Sequence, residues 1–170
     1  MCVIVVKPAG VEMPSNAVIR ACARANRDGF GLCTPTKFFK SLDYEEFKSE
    51  LDKVGKEENC ILHFRLATHG SVCKANCHPF KKKDVYFAHN GVLDITPIGN
   101  KTDSETAFIK YIYPQIAKHG LCSVQTELAV QEVIGYSKFA IMQGEKISLY
   151  GNYEKVKGVY YSNLRFLHYM

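Results

Sequence analysis

Short runs of apolar residues, some continuous and some alternating with polar residues, recur along the chain and predict β-strands. The first run, Val3-Ile4-Val5-Val6, predicts a buried strand over residues 2–7 that ends at Pro8 and Gly10. Near the other end, Gln143-Gly144-Glu145 separates two alternating runs and predicts a β-hairpin. After the first strand, this pattern predicts strands at 30–33, 60–67, 85–89, 138–142, 146–150 and 159–166.

Helical periodicity appears in four segments between these strands. A helix is predicted from Pro14 to about Ala25, because proline suits the first turn of a helix. Asp43, with Glu46 three residues later, predicts a capping box that opens a second helix. The remaining two helices are predicted at 107–117, where Pro114 can introduce a kink, and at 123–134.

The order of these elements indicates the fold class. Strands and helices do not alternate regularly, as they do in a doubly wound parallel sheet. The last predicted strands follow one another as antiparallel neighbours. The sequence therefore predicts an α+β fold in which sheets pack against helices in layers. Its length of 170 residues fits a single domain over residues 1–170.

The composition indicates which kinds of partner the protein binds and which cellular compartment it occupies. The net charge is only +5, and its one dense run, Lys81-Lys82-Lys83, is followed at once by Asp84. We interpret this run as a solvated loop, so binding to nucleic acid is not expected. No stretch approaches the ~20 apolar residues of a membrane span, and no leader pattern is seen. Seven cysteines at irregular spacing argue against a disulfide framework and predict a reducing, cytoplasmic setting.

The first two residues offer a specific chemistry. An initiator Met is removed when the next residue is small, and removal of Met1 leaves Cys2 at the N-terminus. A terminal Cys carries a thiol nucleophile and an α-amine with a pKa of ~8 that can act as its base. Taken alone, however, Cys2 fits an incidental cysteine on a buried strand better.

Three polar clusters at strand and helix ends are unusual for residues that only pack. Arg65 follows an apolar strand, and its guanidinium matches a carboxylate in bidentate geometry. Asn90-Gly91 is a common turn dipeptide, but its amide and backbone N–H groups can also face one oxyanion. Asp103 lies at a predicted helix start, where it can cap the helix or bind an ammonium group. Each cluster alone has an ordinary structural explanation.

Taken in chain order, these segments resemble the class II (N-terminal nucleophile) glutamine amidotransferases, such as the glutaminase domains of glucosamine-6-phosphate synthase and amidophosphoribosyltransferase. The similarity covers nearly all of the chain, and Cys2 lies where the family has its nucleophile. One departure is Leu66, where the synthase usually has an aromatic residue. The other segments that carry the resemblance are Asn26-Arg27-Asp28-Gly29-Phe30-Gly31, Arg65-Leu66-Ala67-Thr68-His69-Gly70, Asn76-Cys77-His78-Pro79, His89-Asn90-Gly91 and Thr102-Asp103-Ser104-Glu105. A weaker similarity follows at Gly158-Val159-Tyr160-Tyr161-Ser162.

The resemblance implies a fold and a reaction. The fold is a four-layer αββα sandwich of the Ntn-hydrolase type, with two antiparallel sheets between helical layers. The reaction is hydrolysis of the side-chain amide of L-glutamine through a thioester on Cys2, without a cofactor. By the same resemblance, Asn90 and Gly91 stabilise the oxyanion.

The resemblance also implies how the substrate is held. Arg65 binds the α-carboxylate of glutamine and Asp103 its α-ammonium group. Thr68 and His69 line the pocket or the loop over it. The ammonia is expected to pass to an acceptor on a separate synthase partner.

Two other interpretations stay open at this point. The chain can be a catalytically inactive member of the same fold that serves as a regulatory or binding subunit. Alternatively, Cys73, Cys77 and His78 lie close enough in sequence to suggest zinc, but their spacing is not a regular zinc pattern. We therefore predict no metal site.

Overall fold

The structure, a computed structural model, describes residues 2–67 and 71–170. Two antiparallel sheets form its centre, one with six strands in the order β3-β2-β4-β1-β10-β9 and one with four in the order β5-β6-β7-β8. The strands are β1 Val3–Lys7, β2 Phe30–Cys33, β3 Phe38–Ser41, β4 Cys60–Phe64, β5 Phe80–Lys82, β6 Val85–Asn90, β7 Lys138–Gln143, β8 Lys146–Tyr150, β9 Glu154–Val156 and β10 Val159–Tyr161.

Helices cover the outer face of each sheet. The helical elements are α1 Asn16–Ala25, α2 Tyr44–Leu51, α3 Asp103–Thr106, a π-helical segment Ala107–Ile112, α4 Tyr113–His119 and α5 Val124–Ile134, with 3₁₀ turns at Lys74–Asn76 and Arg165–Tyr169. None of the helices among the described residues is long and apolar enough to cross a membrane.

Three apolar clusters show how these layers stack. The first packs α1 and α2 against the six-stranded sheet, for example through Ile19, Phe47 and Leu62. The second packs the helices after residue 102 against the four-stranded sheet. The third, which contains Ile4 and Ala88, lies between the two sheets. The layers are therefore helix, sheet, sheet and helix, which confirms the predicted αββα sandwich.

Most elements lie where the sequence pattern predicts them, and the structure corrects several. Strands β3, β5 and β9 were not predicted, and Lys81 and Lys82 belong to β5 instead of a solvated loop. The predicted strand 159–166 ends at Tyr161. The predicted helix 107–117 begins earlier, at Asp103, and Thr102 caps it because its side chain accepts a hydrogen bond from the Glu105 N–H.

The capping box predicted at the second helix is formed only in part. Asp43 caps α2, since its Oδ1 accepts the Glu46 N–H at 2.9 Å. The Glu46 carboxylate does not return to the backbone of Asp43. It accepts the Ser41 hydroxyl at 2.6 Å, and Ser41 Oγ in turn accepts the Asp43 N–H at 3.0 Å.

The sheet register brings three strand ends together. Val3, at the start of β1, pairs with Phe64, at the end of β4. Cys2 therefore lies beside Arg65, the residue that follows β4. The strand β6 ends at Asn90 in the facing sheet. The candidate site is built where these ends meet.

Candidate active site

Cys2 is held against the backbone of Leu66. The Leu66 N–H donates to Cys2 Sγ at 3.3 Å, and Sγ lies 3.5 Å from the Leu66 carbonyl oxygen. The backbone of this one residue can thus stabilise either protonation state, because a thiolate accepts the N–H and a thiol donates to the carbonyl. Asn163 also anchors this end of the chain, since its Nδ2 donates to the Cys2 carbonyl at 2.9 Å.

The turn before β2 fixes the segment that carries Arg65 and Leu66. The Arg65 N–H donates to the Gly29 carbonyl at 2.8 Å, and the Asp28 N–H donates to the Arg65 carbonyl at 2.9 Å. The Asp28 carboxylate then accepts the Ala67 N–H at 2.8 Å. These three hydrogen bonds attach the turn at Asp28 and Gly29 to the segment at residues 65–67, although the two are far apart in sequence.

One cavity contains most of the predicted functional groups. Cys2, Arg65, Gly91 and Asp103 line it together, and its volume is about 50 Å³. Arg65 is buried, with 4% of its surface exposed. A larger cavity of about 410 Å³ adjoins the first and shares Asp103 with it. A molecule that reaches Cys2 can therefore extend past Asp103 into the larger space.

Asp103 is oriented by three donors from its own chain. Its Oδ1 accepts the Ser104 N–H at 2.7 Å and the Ser104 hydroxyl at 3.1 Å, and its Oδ2 accepts the Leu93 N–H at 3.0 Å. A carboxylate has about four lone-pair positions, so three donors fix its orientation and leave room for one more. This geometry suits a carboxylate that receives a single ammonium hydrogen.

Asn90 lies at the end of β6 and faces the other sheet. Its Nδ2 donates to Ser162 Oγ at 2.9 Å, and the same oxygen accepts the Ile4 N–H at 2.9 Å. Ser162 thereby ties β10, β1 and β6 together at a point where all three residues are buried. An amide NH₂ has two hydrogens, so one remains after the bond to Ser162.

Gly91 occupies a position that no other residue fits. Its φ is +146°, which favours glycine, and an added Cβ would lie 2.2 Å from Ser137 Oγ. Ser137 is buried and donates to the Val92 carbonyl at 3.2 Å. The tight packing holds the Gly91 backbone at the wall of the cavity.

Three buried histidines pack beside the cavity. The rings of His63 and His78 are 4.3 Å apart, and those of His78 and His89 are 6.2 Å apart. Burial lowers the pKa of His63 to about 3 and that of His89 to about 4, and it lowers the pKa of His78 well below its ordinary value. Gly31 makes room for this cluster, because a Cβ there would lie 1.9 Å from the His78 carbonyl oxygen.

The cysteines differ in their electrostatic surroundings. Burial raises the pKa of Cys2, although the Leu66 N–H and the charge of Arg65 oppose the rise. Its thiolate is therefore scarce at neutral pH, and attack by Cys2 needs a base. Cys73 differs, since a hydrogen bond from Ser71 lowers its pKa. All seven cysteines are free thiols.

The suggested zinc ligands do not converge. Cys77 Sγ donates to the Cys73 carbonyl at 3.5 Å, and His78 packs its ring against His63 and Phe80. Across residues 2–67 and 71–170, no group of three His, Cys, Asp or Glu side chains could hold a metal ion.

The structure thus brings Cys2, Arg65, Gly91 and Asp103 to one cavity, with Asn90 buried next to Gly91. Thr68 and His69 lie outside the described residues. Sequence reasoning did not single out Ser104, Ser162 or Asp28 as parts of the site. Each of these lies in or beside a motif that carried the family resemblance, and that was the available signal.

Comparisons with solved structures find the same fold in other proteins. A B. subtilis glutamine phosphoribosylpyrophosphate amidotransferase, complexed with ADP and GMP, shares the fold with a TM-score of 0.58 at 18% identity, over 95% of this chain and 41% of its own. A structure described as the allosteric regulatory enzyme of purine biosynthesis has a TM-score of 0.63 at 18% identity, with the same coverage of 95% and 41%. The chain therefore spans less than half the length of these two proteins. A search of curated protein sequences finds no match.

The model of one protein family matches more than half of the chain. This family is the class-II glutamine amidotransferases, and the match covers residues 47–142. The matched part includes Arg65, Asn90, Gly91 and Asp103, while Cys2 precedes it. The chain belongs to the class-II glutamine amidotransferases.

Proposed function

We propose that residues 1–170 form a single glutaminase domain that hydrolyses the side-chain amide of L-glutamine through Cys2. The observation that carries this proposal is the composition of one cavity. A thiol, a guanidinium, a carboxylate and a glycine backbone line it together, in Cys2, Arg65, Asp103 and Gly91. These are the groups needed to hold a zwitterionic amino acid and to attack its side chain.

In the proposed reaction, Met1 is first removed and the α-amine of Cys2 becomes free. This amine takes the proton of the thiol, and Sγ attacks the side-chain amide carbon of glutamine. The amine returns the proton to the amide nitrogen, the C–N bond breaks, and ammonia leaves. Water then hydrolyses the γ-glutamyl thioester to glutamate and regenerates the thiol. The raised pKa of Cys2 supports a mechanism with an adjacent base.

The oxyanion of the tetrahedral intermediate is assigned to Asn90 and Gly91. Asn90 keeps one amide hydrogen after its bond to Ser162, and the Gly91 backbone lies at the cavity wall. Loss of one such donor typically lowers kcat by about 10²- to 10³-fold.

Substrate selection follows from the two charged groups. Arg65 pairs with the α-carboxylate and Asp103 with the α-ammonium group. By the family resemblance, Thr68 and His69 line the pocket or the loop over it. Glutamate is a poor substrate because its γ-carboxylate is a weak electrophile. Asparagine is one methylene shorter, so its amide does not reach Cys2 when both α-groups are held.

The ammonia is proposed to pass to an acceptor on a separate synthase partner. Ammonia released into neutral water becomes ammonium, which lacks the lone pair needed for attack, so direct transfer is favoured. The seven free thiols support a reducing, cytoplasmic setting for the protein.

The test is steady-state glutamine hydrolysis by the processed protein, measured as glutamate release. Cys2→Ala should abolish turnover, and Asn90→Ala should lower kcat by about 10²- to 10³-fold. Arg65→Lys should mainly raise KM, because lysine cannot form the bidentate pair. The matched control is Cys73→Ala, which should retain full activity. Turnover by Cys2→Ala equal to that of the unsubstituted protein would refute the proposal.

A further inference from the structure

A continuous hydrogen-bond chain links Asp103 to a buried histidine. Ser104 Oγ lies 3.1 Å from Asp103 Oδ1 on one side and 2.7 Å from His89 Nδ1 on the other. Ser104 and His89 are 5% and 3% exposed, so water does not compete for these bonds. The family resemblance implies a role for Asp103 and none for Ser104 or His89.

The direction of the protons along this chain follows from the number of donors. Ser104 has one hydroxyl hydrogen, and the carboxylate of Asp103 can only accept. If that hydrogen pointed to His89, Ser104 Oγ and Asp103 Oδ1 would face each other at 3.1 Å with no hydrogen between them. The hydroxyl therefore donates to Asp103, and the ring of His89 donates from Nδ1 to Ser104.

This arrangement fixes the tautomer of His89. Burial lowers its pKa to about 4, so the ring is neutral at pH 7 and carries one hydrogen. With that hydrogen on Nδ1, Nε2 holds a lone pair. Nε2 is buried and has no hydrogen-bond partner among the described residues.

We propose that Ser104 is a positioning residue that holds Asp103 for the α-ammonium group of glutamine, with His89 as its fixed donor. This inference rests on the proposed function of Asp103. Ser104 supplies two of the three donors that orient the Asp103 carboxylate, through its N–H and its hydroxyl. His89 keeps the hydroxyl of Ser104 pointed at Asp103, because its own N–H occupies the other side of that oxygen.

The proposal predicts a change in glutamine binding when the hydroxyl is removed. In a Cys2→Ala background, which prevents turnover, Ser104→Ala should raise the Kd for glutamine by about 10- to 100-fold, as measured by calorimetry. Ser104→Thr keeps the hydroxyl and should remain within about threefold. The matched control is Ser148→Ala, since Ser148 lines neither cavity at the site.

The tautomer of His89 gives a readout that does not depend on substrate. Nitrogen-15 NMR should show the hydrogen on Nδ1 in the unsubstituted protein and in Ser104→Thr. Ser104→Ala should lose this preference while the protein stays folded. A hydrogen on Nε2 in the unsubstituted protein would overturn the proposal, as would an unchanged Kd in Ser104→Ala. If glutamine does not bind at all but the Nδ1 tautomer is seen, the proposed function fails and the hydrogen-bond chain stands.

Discussion

The free energy of unfolding should fall steeply as the pH is lowered, because three histidines are buried in their neutral form. His63, His78 and His89 are 0%, 7% and 3% exposed, and their lowered pKa values mean that the folded state resists protonation. In the unfolded chain each takes up a proton near its ordinary pKa of about 6.5. The stability that these neutral histidines contribute is therefore fully present above pH 6.5. It is lost as the pH falls from 6.5 toward the pKa values of the folded state.

The size of this effect follows from the difference in bound protons. Near pH 5 the unfolded chain holds about three more protons than the folded protein, so the free energy of unfolding falls by about 4 kcal/mol per pH unit. Between pH 7 and pH 5 the total loss is about 6 kcal/mol. Typical domains have a free energy of unfolding of only about 5–15 kcal/mol, so this loss removes a large part of the stability by pH 5.

The assay is urea denaturation at pH 7, 6 and 5, with the free energy of unfolding plotted against pH. His78→Gln removes one titrating ring and should reduce the slope by about 1.4 kcal/mol per pH unit. A free energy of unfolding that stays flat from pH 7 to pH 5 would contradict this prediction. So would a His78→Gln variant with an unchanged slope.

Two further substitutions test the packing at the site. Gly91→Ala should lower the free energy of unfolding by about 2–5 kcal/mol, because the new Cβ meets Ser137 and the φ of +146° is strained; a loss under about 1 kcal/mol in chemical denaturation would contradict this. Ser162→Ala should lower the free energy of unfolding by about 2–4 kcal/mol in the same assay, because it leaves the N–H groups of Ile4 and Asn90 unpaired. Ser162→Thr keeps the hydroxyl and should recover part of this loss. Equal stability of Ser162→Ala and the unsubstituted protein would count against the assigned hydrogen bonds.

The elements that the sequence predicts best are those with an uninterrupted apolar pattern. The strand β1 is buried at every residue, and β2 occupies the predicted residues 30–33. The three strands that were not predicted, β3, β5 and β9, all lie at the edges of the sheets. The strand β5 has two lysines in three residues, and one side of an edge strand faces solvent. Its pattern therefore resembles that of a loop.

The end of the chain shows a different limit. The apolar residues Leu164 and Phe166 extend the strand pattern past Tyr161, but both pack into the core of the six-stranded sheet from a non-strand segment. The chain leaves the sheet at Asn163, whose side chain bonds to the Cys2 carbonyl. A contact between residues 161 positions apart is invisible to local periodicity.

The residues of the candidate site also fall into a group that the sequence predicts and a group that it does not. Short motifs identified Arg65, Asn90, Gly91 and Asp103, since each lies in a segment with a recognisable local pattern. Their supporting partners could not be predicted. Ser162 meets Asn90 only because the sheets bring β10 and β6 together, across 72 positions in the sequence. Such pairings depend on register and layer packing, which the sequence pattern does not specify.

Cys2, freed from Met1, is the proposed nucleophile, and the intact mass of the protein tests this role. The purified protein is measured before and after treatment with 6-diazo-5-oxo-norleucine, an electrophilic glutamine analogue. We expect a mass without Met1 and one adduct, which is absent in Cys2→Ala and retained in Cys73→Ala, the control for a second thiol whose pKa is lowered. A protein that retains Met1 and takes no adduct, or an adduct that persists in Cys2→Ala, would contradict it.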